Sequence, residues 1–201
     1  MCGGYSFFQA TTLLRTAGKQ RSYSKVKRHY NAAPSQELPV ILNTGPESIV
    51  AGKWGSIPHW MKNPKGIINA RAETICEKPS FRKAATKQHC LVLADSFFEW
   101  NRKATTKIPY RILLKNEAPF VFAGIWEMYQ TATGTQIPSF SIITVPANDM
   151  MSELHDRMPV ILPQKYEQLW IDTSSEPEAS FSVLKPYPDN EMQMVPDCNN
   201  S

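Results

Sequence analysis

Cys90-Leu91-Val92-Leu93-Ala94-Asp95-Ser96-Phe97-Phe98-Glu99-Trp100 decides the architecture. Its branched and aromatic side chains predict a strand over residues 90–100. Runs of the same character predict further strands over 39–42, 48–54, 109–114, 120–129 and 139–145, several of them bounded by Pro or Gly. Short helices are expected over 9–17, 80–87, 147–154 and 164–171. Ser80 is positioned to cap the second, and Pro163 sits near the first turn of the last. Many strands with a few short helices predict an α+β fold, with a curved or barrel-like, mainly antiparallel sheet and the helices at its periphery.

The chain has 201 residues and a mass of 22.8 kDa, which predicts one domain over 1–201. A chain of this size removes roughly 70% of its unfolded surface from water and needs no disulfide or metal staple. A hydrophobic content of 42% and a charged content of 20% exclude wholesale disorder. The 16 prolines exceed a typical share of ~5%, but they punctuate apolar runs and form no linker. The longest apolar runs, at 121–125 and 142–145, are too short to span a bilayer. Residues 1–9 lack the pattern of a secretory signal, so a cytoplasmic protein without a membrane partner is expected, nucleoid-associated in a bacterium. Cys2, Cys76, Cys90 and Cys198 form no C-x-x-C and have no His at finger spacing. They are expected to be free thiols, with no metal and no cofactor.

The net charge is +4, but residues 1–36 hold six basic side chains and no acid, leaving −2 for the remainder. A basic segment suits a polyanion and also suits a plain solvated surface. Residues 161–201 carry seven acids against two lysines and read as solvent-facing, with 163–201 either part of the same domain or partly irregular.

Cys2 follows Met1 directly. Loss of Met1 would leave a thiol and a primary amine on adjacent carbons. Such an amine titrates near ~7.7–8.0 and a thiol near ~8.5, against ~10.4 for a lysine. A 1,2-aminothiol forms a Schiff base with an aldehyde and then closes to a thiazolidine; alternatively, a thiolate attacks an amide. An incidental cysteine at a frayed end is the bland alternative. His155, in His155-Asp156-Arg157-Met158-Pro159, is suited to moving protons near neutral pH, and Arg157 to forking onto a phosphate. Glu99 lies within an aromatic strand, where desolvation favours the protonated carboxyl of a general acid. Asn69 offers an amide to orient a reacting group, and Arg71 a guanidinium for phosphate. Trp54 and Trp60 offer faces for base stacking, although at least one of them is expected in the core.

These motifs also occur as an ordered set: Met1-Cys2-Gly3, Tyr30-Asn31-Ala32-Ala33-Pro34, Trp54-Gly55-Ser56-Ile57-Pro58-His59-Trp60, Asn69-Ala70-Arg71-Ala72-Glu73-Thr74, Lys78-Pro79-Ser80-Phe81-Arg82, then residues 89–100 and 155–162. In that order the chain resembles the SOS-response-associated peptidase (SRAP) family, the abasic-site processing proteins. The resemblance covers residues 1 to about 162. It implies an SRAP fold with a positively charged channel for single-stranded DNA containing abasic sites. It also implies that Cys2 cross-links to the ring-opened sugar as a thiazolidine, with possible self-cleaving peptidase and lyase-type activity. By the same resemblance Asn69 holds the reacting amine and sugar, Glu99 shuttles protons, and His155 assists sugar opening and cross-link reversal. Arg71 and Arg157 match phosphate-gripping arginines, Asn31, Pro34, Trp54 and Trp60 match channel residues, and Thr144 matches a backbone-contacting threonine.

Gly4 departs from the family pattern, which has an arginine beside the nucleophile that contacts DNA. A glycine there also admits a positive φ. Ser96, Phe98 and Leu93 stand where glycine, tyrosine and proline are commoner, and all three changes leave Glu99 in place. Two other functions remain open on the residues alone. One is a cysteine peptidase or N-terminal-nucleophile amidohydrolase with His155 as base. The other is a non-catalytic single-strand binder.

Overall fold

The computed structural model describes residues 2–7, 22–23, 29–58, 66–101, 108–131, 133–174 and 176–197. The helix expected over 9–17 and Trp60 lie outside them. In chain order the strands are β1 (Tyr5–Phe7), β2 (Ser22–Tyr23), β3 (His29–Ala32), β4 (Glu37–Leu42), β5 (Ser48–Trp54), β6 (Asn69–Arg71), β7 (His89–Ala94) and β8 (Ser96–Trp100). They continue with β9 (Pro109–Leu114), β10 (Phe120–Gln130), β11 (Gln136–Pro146), β12 (Arg157–Pro159), β13 (Ile161–Leu162) and β14 (Met192–Pro196). Among the described residues the α-helices are α1 (Arg82–Lys87), α2 (Asp149–Ser152), α3 (Gln164–Ile171) and α4 (Pro177–Phe181).

Residues 90–100 form two strands rather than the single one expected. The chain breaks at Asp95, whose amide donates to the Ser6 carbonyl at 2.9 Å. On either side β7 and β8 enter different sheets, the corner geometry by which one strand serves two layers. The larger sheet runs β12-β11-β10-β7-β4-β5-β2, with β13 on β10 and β6 on β11. Its β11 also pairs in parallel with β5, which closes β11-β10-β7-β4-β5 into a barrel. The smaller sheet runs β14-β9-β8-β1-β3 and is antiparallel throughout. The α+β, barrel-like fold expected from the strand pattern is therefore the one present.

Aromatic edges join the two sheets. Tyr5 on β1 meets Trp54 on β5 with ring centroids 5.1 Å apart, and meets Phe122 on β10 at 5.8 Å. Phe97 on β8 meets Phe122 at 5.9 Å. Such edge-to-face pairs each add ~0.5–1.5 kcal/mol beyond their area. The helices sit at the periphery, and α3 docks on β7: Trp170 stacks on His89 at 3.9 Å and its Nε1 donates to the Cys90 carbonyl at 3.1 Å.

Helix ends are where local expectation slipped. Ser80 does not cap α1, because the helix begins at Arg82 behind Phe81, with no side-chain cap. The cap at α2 is Asn148, whose side chain accepts from the Met151 amide at 2.9 Å. None of the described helices is long and apolar enough to cross a membrane.

Candidate active site

Strand β1 carries the N-terminal residues onto the smaller sheet. The Phe98 amide donates to the Gly4 carbonyl at 2.9 Å, which extends the β1–β8 ladder by one residue. Cys2 is thereby buried completely, its Sγ 3.6 Å from the Gly4 carbonyl oxygen. Burial pushes the thiol up to about 12, and the Glu99 carboxylate adds to the rise. The negative charge of Glu99 thus outweighs the positive N-terminus at the thiol, opposite to the cationic environment that activates a peptidase cysteine.

Asn69 reaches the same residue from the other sheet. Its Nδ2 donates to the Cys2 carbonyl at 3.0 Å, which orients the amide. Its Oδ1 is buried and accepts no hydrogen bond from the described residues. A buried acceptor of this kind is rare and marks a place for a donor. Three features hold Asn69 there: β6 runs parallel to β11, Ser141 Oγ donates to the Ile67 carbonyl at 2.6 Å, and Trp54 Nε1 donates to the Ile68 carbonyl at 3.0 Å. Trp54 is fully buried, so it is a core residue and presents no face to a base. Its contribution is to anchor the strand that ends at Arg71.

Glu99 is buried on β8, its Oε1 3.4 Å from the Trp100 amide. Asn31 lies beside Gly4, where an ideal Cβ would stand 3.4 Å from Asn31 Oδ1. Pro34 is half-buried in the following turn, and Arg71 is exposed.

A second cluster surrounds β12. Arg157 is only 8% exposed. Its Nη1 and Nη2 fork onto the Glu73 carboxylate at 2.5 and 2.9 Å, and Nη2 also donates to the Thr144 carbonyl at 2.6 Å. These hydrogen bonds hold the Glu73 carboxyl below its ordinary range. The stability this pair contributes is therefore complete at neutral pH and is lost only as pH falls through that lowered value. His155 is buried, and its Nδ1 accepts from the Arg157 amide at 2.9 Å. Asp156 Oδ1 also lies 2.6 Å from Nδ1, but one nitrogen cannot both accept and donate. The two partners select opposite tautomers: the amide, held in β12, faces an unprotonated Nδ1, and the Asp156 carboxylate faces a protonated one.

Cys2, Asn69 and Glu99 thus converge from two sheets, while Thr144, Arg157 and His155 form a neighbouring group on β11, β12 and the turn before it. Arg157 does not stand free for a phosphate. Arg157→Ala is expected to cost about 1.5–3 kcal/mol of stability by stranding hydrogen-bond partners of a charged group, as read from urea unfolding. Glu73 had no role in the sequence reading. The available signal was an acid two residues beyond Arg71, in a motif otherwise read only for its amide and its cation. Among the described residues no group of three or more His, Cys, Asp or Glu side chains converges as a metal site. Cys2, Cys76 and Cys90 are free thiols.

The model of the SOS response associated peptidase (SRAP) family matches residues 1–198. The chain is 39% identical over 202 residues to the abasic site processing protein YoqW of Bacillus subtilis (strain 168), covering 96% of this chain and 90% of that protein. It is 28% identical over 188 residues to the abasic site processing protein HMCES of Xenopus tropicalis, covering 76% of this chain and 56% of that protein. A crystal structure of a protein from Bacteroides thetaiotaomicron superposes with a TM-score of 0.88 at 31% identity, over 99% of this chain and 93% of that one. Shared sequence along nearly the whole chain and a shared fold lead to one assignment: the protein belongs to the SOS response associated peptidase (SRAP) family.

Proposed function

We propose that this protein processes abasic sites in single-stranded DNA by capturing the ring-opened sugar on Cys2. Relatives named as abasic site processing proteins support action on abasic-site damage. The observation that carries the chemistry is the meeting at Cys2 of the Asn69 amide and the Glu99 charge. Once Met1 is removed, the α-amine adds to the aldehyde carbon to give a carbinolamine. A proton delivered by Glu99 lets the hydroxyl leave as water, forming the Schiff base. The thiol then adds to the imine carbon and its proton passes to the nitrogen, closing the thiazolidine with no oxidant or reductant. Asn69 Oδ1 is available to accept from the amine or from a sugar hydroxyl during these steps. His155 serves sugar opening and reversal.

The basic residues of 1–36 and the exposed Arg71 supply attraction for the phosphates. The test is a denaturing gel of matured protein incubated with a single strand carrying one abasic site. A retarded band is expected. Binding without such a band would leave only a single-strand binder, and peptide turnover without DNA would favour the peptidase.

Gly4 bears on affinity. Its φ lies outside the left-handed region, so no backbone strain requires glycine there. A Cβ would meet Asn31 Oδ1, Ala32 O and Phe98 Cδ2 at 3.4, 3.6 and 3.7 Å, all ordinary contact distances. Gly4→Arg is expected to tighten binding to abasic single strands roughly tenfold, equivalent to ~1.4 kcal/mol, with little change in cross-link yield at saturating protein. Titrations of both proteins at one salt concentration check this; equal or weaker binding ends the idea.

A further inference from the structure

Glu73 occupies the 3-10 turn Ala72–Thr74, four residues after Asn69. It faces Arg157, which lies two residues after His155. The pair is therefore attached at one end to the segment that holds the Cys2 carbonyl, and at the other to the segment that carries the histidine. It spans 84 residues of sequence, and the fork geometry fixes the plane of the guanidinium as well as its distance. Thr144, between the two segments, receives Nη2 on its carbonyl, and its Oγ1 lies 3.4 Å from the Ala70 carbonyl.

We propose that Glu73 is a positioning residue for the abasic-site reaction, clipping Arg157 so that the turn carrying His155 stays docked on the segment that carries Asn69. The inference rests on the reading under Proposed function. A displacement of 1 Å in such a site costs about 10²-fold in rate, so a rigid clip far from the reacting atoms has a measurable effect.

Glu73→Gln keeps the shape of the side chain and removes its charge. Nitrogen-15 NMR of the free protein should show the His155 ring resonances shifted in this variant. At saturating DNA, adduct formation should slow about tenfold. Affinity for an undamaged single strand should stay level or rise two- to threefold, because an acid near Arg71 has lost its charge. Glu73→Asp, which keeps the charge, should recover part of the rate, and it carries the same measurements should the glutamine variant fail to fold. Unchanged His155 resonances together with an unchanged saturating rate would overturn the clip. So would a faster rate, which would mean that Glu73 blocks Arg157 as a stand-in for phosphate. The two readings fail separately. If the unaltered protein forms no adduct while the His155 resonances still shift in the glutamine variant, the clip stands and the thiazolidine chemistry falls.

Discussion

A protein that keeps even one residue ahead of Cys2 is expected to form at least a hundredfold less stable adduct with an abasic single strand than the matured chain. The reason is bonding rather than access. An amide nitrogen has its lone pair tied up in the peptide bond, so only a terminal Cys2 offers an amine to the aldehyde. The thiol does not substitute for it. At about 12, its titration point leaves roughly one molecule in 10⁴ or fewer as thiolate near neutral pH. In the proposed mechanism amine attack comes first and the thiol closes the ring afterwards. Two further expectations share this logic. Cys2→Ser should give only a labile imine that borohydride can trap, because the ring-closing sulfur is gone. The rate should also level off above the amine's ordinary ~8, whereas a thiolate-first route would keep climbing tenfold per pH unit toward 12. The denaturing gel reads all three, and full capture by a tagged, unprocessed protein would falsify the mechanism.

Glu99→Gln is expected to slow adduct formation by about 10²-fold or more at saturating DNA, within the ~10²–10⁴ that a positioned acid–base group contributes. The substitution is nearly isosteric on a buried strand position, so the fold should persist. Because the Glu99 charge pushes the thiol up, its loss should also bring the Cys2 titration point down. Affinity for undamaged strands should not change, since the basic face is untouched. Arg71→Ala should do the reverse: weaker binding on every sequence, a salt slope reduced by nearly one unit, and an unchanged rate once the site is filled. Single-turnover kinetics beside binding isotherms separate the two. A Glu99 variant that lost affinity and kept its rate would contradict this division of labour.

The sequence made the strands that face the core legible, because their apolar runs must be buried whatever they pair with. Residues 48–54, 109–114 and 120–129 reappear as β5, β9 and all but the last residue of β10. It did not make β1, β3, β6 and β12 legible. These are three or four residues long, too short for a period to register, and they exist because tertiary partners supply their hydrogen bonds. The division at Asp95 was hidden for a related reason. Both halves are apolar, and only the Ser6 carbonyl, 89 residues away, shows where one sheet hands over to the other.

The site divides along the same line. Cys2, Asn69, Glu99 and His155 were nameable from residue chemistry and from the family resemblance. The burial of Trp54 meets the expectation that at least one of the two tryptophans lies in the core, but the commitment of Arg157 to Glu73 was not nameable, because nothing in a local window says which cation meets which acid. Here the spacing is 84 residues, and the pairing is set by β6 and β12 lying on the same strand, β11.

The seating of Cys2 also constrains when its amine can be unmasked. The contacts that bury it come from Asn69 and from β8, so the set cannot be complete until about 100 residues have been synthesised. At ~5–20 residues per second this leaves the N-terminus open for roughly 5–20 s on the nascent chain. An aminopeptidase acting on Met1 has its substrate in extended form during that interval. Afterwards the peptide carbonyl of Cys2 is held by Asn69 inside the fold. Maturation by an outside enzyme is thereby a race against folding, and a slowly translated transcript should yield a larger trimmed fraction than a rapidly translated one.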